Sequence, residues 1–148
     1  MGFQDLPTLA DQGRCAKQKW EVESRVDVAV EREKAADANR REVYAAVTQR
    51  EESRCRVCDA YCNPQATTLL GKGHHHHIVY ESAQGPTTVE NVCLLCAKCH
   101  NDEHVTRRLS IEGNAHAAPW LTLSKKEKGT GDWYVWRQEV GLRVYERD

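Results

Sequence analysis

The 148-residue sequence predicts an α+β protein. Residues 31–50 are rich in Ala, Glu and Arg with helical spacing of apolar side chains, which predicts a helix. Two Cys-x-x-Cys pairs, Cys55–Cys58 and Cys96–Cys99, enclose a segment in which strand-like stretches precede a second helix. Short aromatic and β-branched stretches follow towards the C-terminus. The length favours one compact domain with an appendage.

The two cysteine pairs predict a structural zinc site. Each spacing forms a turn that lets two thiolates converge on one ion, and two such turns complete a tetrahedral site. The favoured ligands are Cys55, Cys58, Cys96 and Cys99. Three further cysteines compete for these roles or are small buried apolar residues, namely Cys15, Cys62 and Cys93.

Composition limits the other classes of protein. Seven cysteines are an odd number, and the N-terminal residues have no apolar core typical of a secretory signal, so a disulfide framework is disfavoured. No apolar stretch approaches the roughly 20 residues that span a bilayer. We therefore expect a cytoplasmic protein without a membrane partner. A net charge of −1 is not the strongly basic balance of many nucleic-acid binders, although a local basic surface could still meet phosphates.

The elements of the core are predicted from periodicity. Residues 20–30 are weaker helix candidates than 31–50. Leu69–Leu70 and the stretch from His76 to Tyr80 resemble two strands, and helical periodicity extends from about Asn91 to His104. Three C-terminal strands with a hairpin are predicted at residues 109–111, 120–123 and 133–136.

Histidines between and beside the cysteine turns are the candidate functional residues. His100 and His104 are four residues apart on the predicted helix and share one face, so both can reach one ion. Cys99 points about 100 degrees away from His100, so the same helix can serve the zinc on another side. Neighbouring side chains on a strand face opposite ways, so His76 and His77 are expected to have different roles. His74 and His75 are expected to be exposed and without a ligand role.

Taken in order, these residues resemble a known family. The first Cys-x-x-Cys pair, His76-His77-Ile78, Asn91, and then Cys96-x-x-Cys99-His100 with His104 are similar to the HNH endonucleases, also called ββα-metal or His-Me finger nucleases, in their zinc-stapled form. The resemblance covers about residues 40–112, and over its longer stretches the chain resembles the HNH proteins common in bacteriophage genomes, which would act in the host cytoplasm. It implies three regions: an N-terminal tail and helical extension (1–39), a nuclease domain (40–112) and a C-terminal β extension (113–148).

The resemblance also implies roles for individual residues. His77 matches the general base that activates water, and Asn91 matches the residue that fixes the loop orienting that base. His76 and His100 match ligands of one catalytic divalent ion, with His104 as a third. Many members have Asp where this chain has His76, so an all-imidazole site favours Ni²⁺, Zn²⁺ or Mn²⁺ over Mg²⁺. The implied substrate is DNA.

Two cationic residues, Lys98 and Arg107, are candidates for contacts with phosphate, and Glu81 is a candidate fourth neighbour of the metal. The competing hypothesis is a non-catalytic zinc-ribbon module that binds nucleic acid. Such a module needs only the four cysteines and has no use for His77 and Asn91 at this spacing. A thiol redox or zinc sensor, based on Cys62 and Cys93, is a third hypothesis.

Overall fold

The computed structural model describes residues 9–117 and 121–139. The chain divides into two compact units, Met1–Ala38 and Asn39–Asp148. Helix α1 spans Leu9–Arg50, so the expected helix is confirmed and continues through residues 20–30. No helix in the described ranges is both long enough and apolar enough to cross a membrane. The domain limits at residues 39, 40, 112 and 113 stay predictions.

A ββα unit follows α1. Strand β1 (His74–His77) pairs antiparallel with β2 (Val92–Leu95), with His76 opposite Cys93, and helix α2 (Ala97–His104) comes directly after β2. All four residues of β2 are buried. The last turns of α1 also reach this core, where Val47 is fully buried. The predicted α+β class is confirmed, and β1 overlaps the strand predicted at His76–Tyr80, but β2 lies where the sequence predicted helix.

Two element assignments from the sequence are wrong. The helix predicted from about Asn91 begins only at Ala97, because Val92–Leu95 forms β2. A continuous apolar run has the same pattern in a buried strand and in a buried helix, so periodicity cannot separate them. Leu69–Leu70 was expected to be a strand but lies in a turn, with the two side chains 75% and 86% exposed.

The C-terminal strands form a separate three-stranded sheet. Strands β3 (Leu109–Glu112), β4 (Leu121–Lys126) and β5 (Trp133–Glu139) are antiparallel in the order β3-β4-β5, which confirms the predicted hairpin. Trp120, the first residue predicted in β4, lies outside the described residues. Arg137 of β5 donates hydrogen bonds to the carbonyls of Arg56 and Val57, at 2.7 and 3.3 Å. The sheet is thereby joined to the first Cys-x-x-Cys turn.

Candidate functional site

Four cysteines converge where the first Cys-x-x-Cys turn meets the start of α2. The Sγ atoms of Cys55, Cys58, Cys96 and Cys99 all lie within 4.8 Å of one another, and those of Cys58 and Cys96 are 3.6 Å apart. A tetrahedral zinc ion with Zn–S bonds of about 2.3 Å requires sulfurs about 3.8 Å apart. The cluster therefore fits the structural zinc that the sequence predicts.

Hydrogen bonds within the cysteine cluster favour the thiolate form of Cys55. Cys96 is the N-cap of α2, and its sulfur accepts a hydrogen bond from the backbone N–H of Cys99 at 3.5 Å. A hydrogen bond from the Cys99 thiol, supported by backbone N–H groups, lowers the pKa of Cys55 to about 4. Zinc ligation requires the deprotonated form, which is favoured at Cys55, whereas the hydrogen bond to Cys55 raises the pKa of Cys99 and burial raises that of Cys58.

The remaining cysteines lie elsewhere. Cys62 and Cys93 are buried in the apolar core, outside the four-sulfur cluster. Burial raises the pKa of Cys62 to about 12 and raises the pKa of Cys93 as well. Both therefore remain thiols and serve as small apolar residues. The side chain of Cys15 is not among those described.

Three histidines form a second cluster. His76 on β1 and His100 and His104 on α2 each offer a ring nitrogen within 4.8 Å of the others. Nδ1 of His76 lies 3.2 Å from Nε2 of His104. His76 is almost fully buried, whereas His100 and His104 are half-exposed. The cluster is therefore held by the core on one side and open to solvent on the other.

The charge state of this cluster suits a cation. Burial, with the neighbouring rings of His104 and His100 adding to it, lowers the pKa of His76 to about 3. Burial and His104 lower the pKa of His100 to about 4. The rings of His76 and His100 are therefore neutral at pH 7, and each has a ring nitrogen with a lone pair. Nδ1 of His76, which lies 3.2 Å from Nε2 of His104, is the nitrogen of this ring that faces the other members of the cluster. The residues present thus fit a divalent metal.

His77 has different neighbours from His76. Its ring is 8% exposed, and its Nε2 lies 3.1 Å from Oγ1 of Thr87 and 3.5 Å from a carboxylate oxygen of Glu81. Burial lowers the pKa of His77, while Glu81 opposes that shift and Arg40 adds to it. The ring is therefore a neutral base at pH 7. The alternation expected along the strand separates His77 from the ring of His76.

Asn91 fixes the loop that follows β1. Its Oδ1 accepts a hydrogen bond from the Val79 N–H at 2.8 Å, and its Nδ2 donates to the carbonyls of Val79 and Pro86 at 3.0 and 2.9 Å. The same loop carries Glu81 and Thr87, the neighbours of His77. Gly85 permits the close turn, because a Cβ there would lie 1.7 Å from the Val79 carbonyl oxygen. Asn91 thus holds the two ends of the loop together.

Three other residues that the sequence suggested for phosphate or metal contacts lie at the edge of the histidine cluster or outside it. Lys98 is 86% exposed and lies 3.9 Å from Asp102, while Arg107 donates a 3.0 Å hydrogen bond to the Tyr80 hydroxyl. Glu81 pairs with Arg40 at 3.3 Å and lies beside His77, so it is not the fourth neighbour of the histidine cluster that the sequence suggested.

The expectation that His74 and His75 are exposed is wrong, since both are half-buried. His74 stacks on His100 with ring centroids 4.6 Å apart. His75 stacks on Tyr44 at 4.1 Å and has its Nε2 2.9 Å from the Thr48 hydroxyl. These two histidines therefore pack the strand against α2 and α1.

Sequence reasoning missed a polar pair beside the histidine cluster. Glu103 is buried on α2 and accepts a 2.5 Å hydrogen bond from the Tyr80 hydroxyl. Its position three residues after His100 puts it on the ligand face of the helix, which is the signal that could have identified it. Tyr80, beyond the end of β1, had no such signal.

The comparisons with known proteins agree with this arrangement. A family model described as HNH endonuclease matches residues 55–106, a range that contains both cysteine turns, β1, β2 and α2. No significant match is found among curated proteins or solved structures. Residues 55–106 of this chain are therefore similar to the HNH endonuclease family.

Proposed function

We propose that the protein is a metal-dependent endonuclease that hydrolyses phosphodiester bonds of DNA. The observation that carries the proposal is a half-open cluster of three imidazoles, from β1 and α2, next to a buried neutral histidine on the same strand. A non-catalytic zinc module needs only the four cysteines, so it would not require a cluster of His76, His100 and His104 beside His77. The bacteriophage-type and cytoplasmic assignments stay predictions from the sequence.

In this proposal His77 is the general base. Nε2 of its ring faces the Thr87 hydroxyl and the Glu81 carboxylate, which favours a proton on that nitrogen. The lone pair is then on Nδ1, which takes a proton from the attacking water as the water oxygen bonds to phosphorus. The leaving sugar oxygen takes a proton from solvent. As implied by the family resemblance, the products carry a 5′-phosphate and a 3′-hydroxyl.

The two clusters have separate roles in the proposal. Cys55, Cys58, Cys96 and Cys99 would hold a structural zinc ion, and His76, His100 and His104 would hold one catalytic divalent ion such as Mn²⁺, Ni²⁺, Zn²⁺ or Mg²⁺. A divalent ion there supplies charge relief at the phosphate and the leaving oxygen. Lys98 and Arg107 remain candidates for contacts with the DNA backbone.

The test is plasmid nicking by zinc-loaded protein across a series of added divalent metals. We expect conversion of supercoiled to nicked or linear DNA with at least one of Mn²⁺, Ni²⁺ or Mg²⁺. His100→Ala should abolish it while keeping four-cysteine zinc and a folded chain. His116→Ala, which removes a histidine outside both clusters, is the matched control and should cleave normally. DNA binding without cleavage under every metal would favour the zinc-ribbon binding module instead.

A further inference from the structure

Glu103 has a buried carboxylate, of which only one oxygen has a hydrogen-bond partner among the described residues. Its side chain is 8% exposed, and carboxylates are rarely buried to this degree unless they are paired. Oε1 accepts the hydrogen bond from the Tyr80 hydroxyl. Oε2 is also buried, and it has no hydrogen-bond partner within residues 9–117 and 121–139. A buried carboxylate oxygen left in this way is costly unless something positive binds it.

The unpartnered oxygen is directed towards the histidine cluster. Oε2 lies 3.5 Å from Nε2 of His104 and 3.9 Å from Nδ1 of His76, and those two nitrogens are 3.2 Å apart. Neighbouring ligands bonded to one ion at about 2.0–2.2 Å are separated by about 2.8–3.6 Å in octahedral and tetrahedral sites. The three atoms therefore have nearly the spacing of ligands around a common ion.

If Glu103 only oriented a metal-bound histidine and did not bind the ion itself, its carboxylate would contact a different ring nitrogen. A carboxylate that orients a metal-bound imidazole accepts a hydrogen bond from the ring nitrogen remote from the ion. Oε2 instead lies beside the same nitrogens of His76 and His104 that face each other. Oε2 therefore lies on the side of these two rings where a further ligand would lie, although Glu103 is not among the residues whose ligand atoms all lie within 4.8 Å of one another, which are His76, His100 and His104.

We propose that Glu103 is a fourth protein ligand of the divalent ion in the histidine cluster, with Tyr80 as the residue that positions its carboxylate. The inference rests on the proposed function, because it requires an ion at that cluster. Arg107 in turn donates to the Tyr80 hydroxyl, so a second group fixes the tyrosine. A carboxylate oxygen among imidazoles increases the preference for Mn²⁺ or Mg²⁺, which bind oxygen ligands well.

The experiment is isothermal titration calorimetry of zinc-loaded full-length protein, stripped of weakly held metal, with Mn²⁺ and separately with Ni²⁺. Wild type is compared with Glu103→Gln, Tyr80→Phe, His104→Ala and the control Glu112→Gln, which removes an exposed carboxylate from β3. Zinc content and thermal unfolding establish that each variant is folded. Glutamine keeps the size of Glu103 and can still accept the Tyr80 hydrogen bond, so the variant removes mainly the anionic ligand.

We expect Glu103→Gln to weaken Mn²⁺ binding by about tenfold or more, and Ni²⁺ binding by less, since imidazoles suit Ni²⁺ and carboxylates suit Mn²⁺. Tyr80→Phe should weaken Mn²⁺ binding by a smaller factor, and Glu112→Gln should leave both affinities unchanged. Equal losses for the two metals would show a merely structural role and overturn the inference. If Glu103→Gln does not fold, Glu103→Asp, which keeps the charge but shortens its reach, replaces it with the same expected metal preference.

The outcomes separate this inference from the proposed function. If His104→Ala loses metal affinity while Glu103→Gln binds Mn²⁺ like wild type, the histidine site stands and Glu103 is not a ligand. If wild type itself binds neither metal beyond its zinc, or if His104→Ala binds them unchanged, the proposed catalytic site is wrong and the inference about Glu103 is wrong with it.

Discussion

His76 and His77 are neighbours in the chain but have different chemical surroundings. The His76 ring meets His100 and His104 from α2, whereas His77 meets Thr87 and Glu81 from the loop after β1. One strand can therefore contribute both to a metal site and to a base without either ring blocking the other. This division is a direct consequence of the two-residue side-chain period of β-strands.

Replacing His77 tests the role of the base. His77→Ala should fold, retain its zinc and bind DNA, but cleave at least about a hundredfold more slowly, because loss of a general base typically costs about 10²–10⁴ in rate. The measurement is initial nicking rate at saturating metal, with DNA affinity determined separately. Cleavage near the wild-type rate by a demonstrably folded sample would contradict the assignment of the base.

Of the residues beside the two histidine sites, Asn91 could be identified from the sequence, whereas Glu103 could not. Asn91 was singled out through the family resemblance, and the structure gives it three hydrogen bonds to the loop that carries the neighbours of His77. Glu103 was missed because its role depends on the rotation of α2 against β1 and on Tyr80, which is 23 residues away in sequence. Spacing along one helix predicts which residues share a face, but it does not predict which partner that face meets.

Helix α2 serves both clusters within eight residues. Cys99 lies near its start and faces the four-sulfur cluster, whereas His100 and His104 face β1. The sequence predicted this division from the angle between successive helical residues. It did not predict where the helix begins, because β2 is buried on all sides and lacks the alternation that marks a half-exposed strand. The cysteine spacing was thus more informative than the apolar pattern.

Loss of the four-cysteine site should disrupt α2 and with it the histidine cluster. Cys99→Ser removes one thiolate and should give a chain that lacks tightly bound zinc and unfolds or aggregates, because metal-binding free energy contributes directly to the folding of small zinc domains. Zinc content by mass spectrometry and the circular dichroism spectrum provide the measurement.

A matched control for that change is Cys62→Ser. Cys62 is also buried, but it lies outside the cluster, so this variant should keep one equivalent of zinc despite some loss of stability. A folded, active Cys99→Ser protein without zinc would show that the four cysteines are not a structural metal site.

Within the larger unit, Asn39–Asp148, buried ion pairs join the C-terminal sheet to the first Cys-x-x-Cys turn. Arg56 is fully buried in the first cysteine turn, where it pairs with Glu51 at 3.0 Å and with Glu139 of β5 at 2.7 Å. Removing one partner of a buried pair leaves an uncompensated charge and is strongly destabilising. The β extension beyond residue 112 therefore contributes to the fold around the cysteines, although the sequence had suggested a boundary there.

The described apolar core lies wholly within the unit that begins at Asn39. Among the described residues, every buried apolar side chain falls between Val47 and Leu123, whereas the described side chains of residues 16–38 are exposed except for half-buried Ser24. Burial of apolar surface is the main favourable contribution to folding. A chain of residues 39–148 should therefore retain its zinc, and its thermal midpoint should shift by less than about 5 °C, which corresponds to roughly 1 kcal/mol for a domain of this size. Calorimetric unfolding of the two chains provides the measurement, and loss of zinc or of a cooperative transition in residues 39–148 would show that the first 38 residues are needed for the fold.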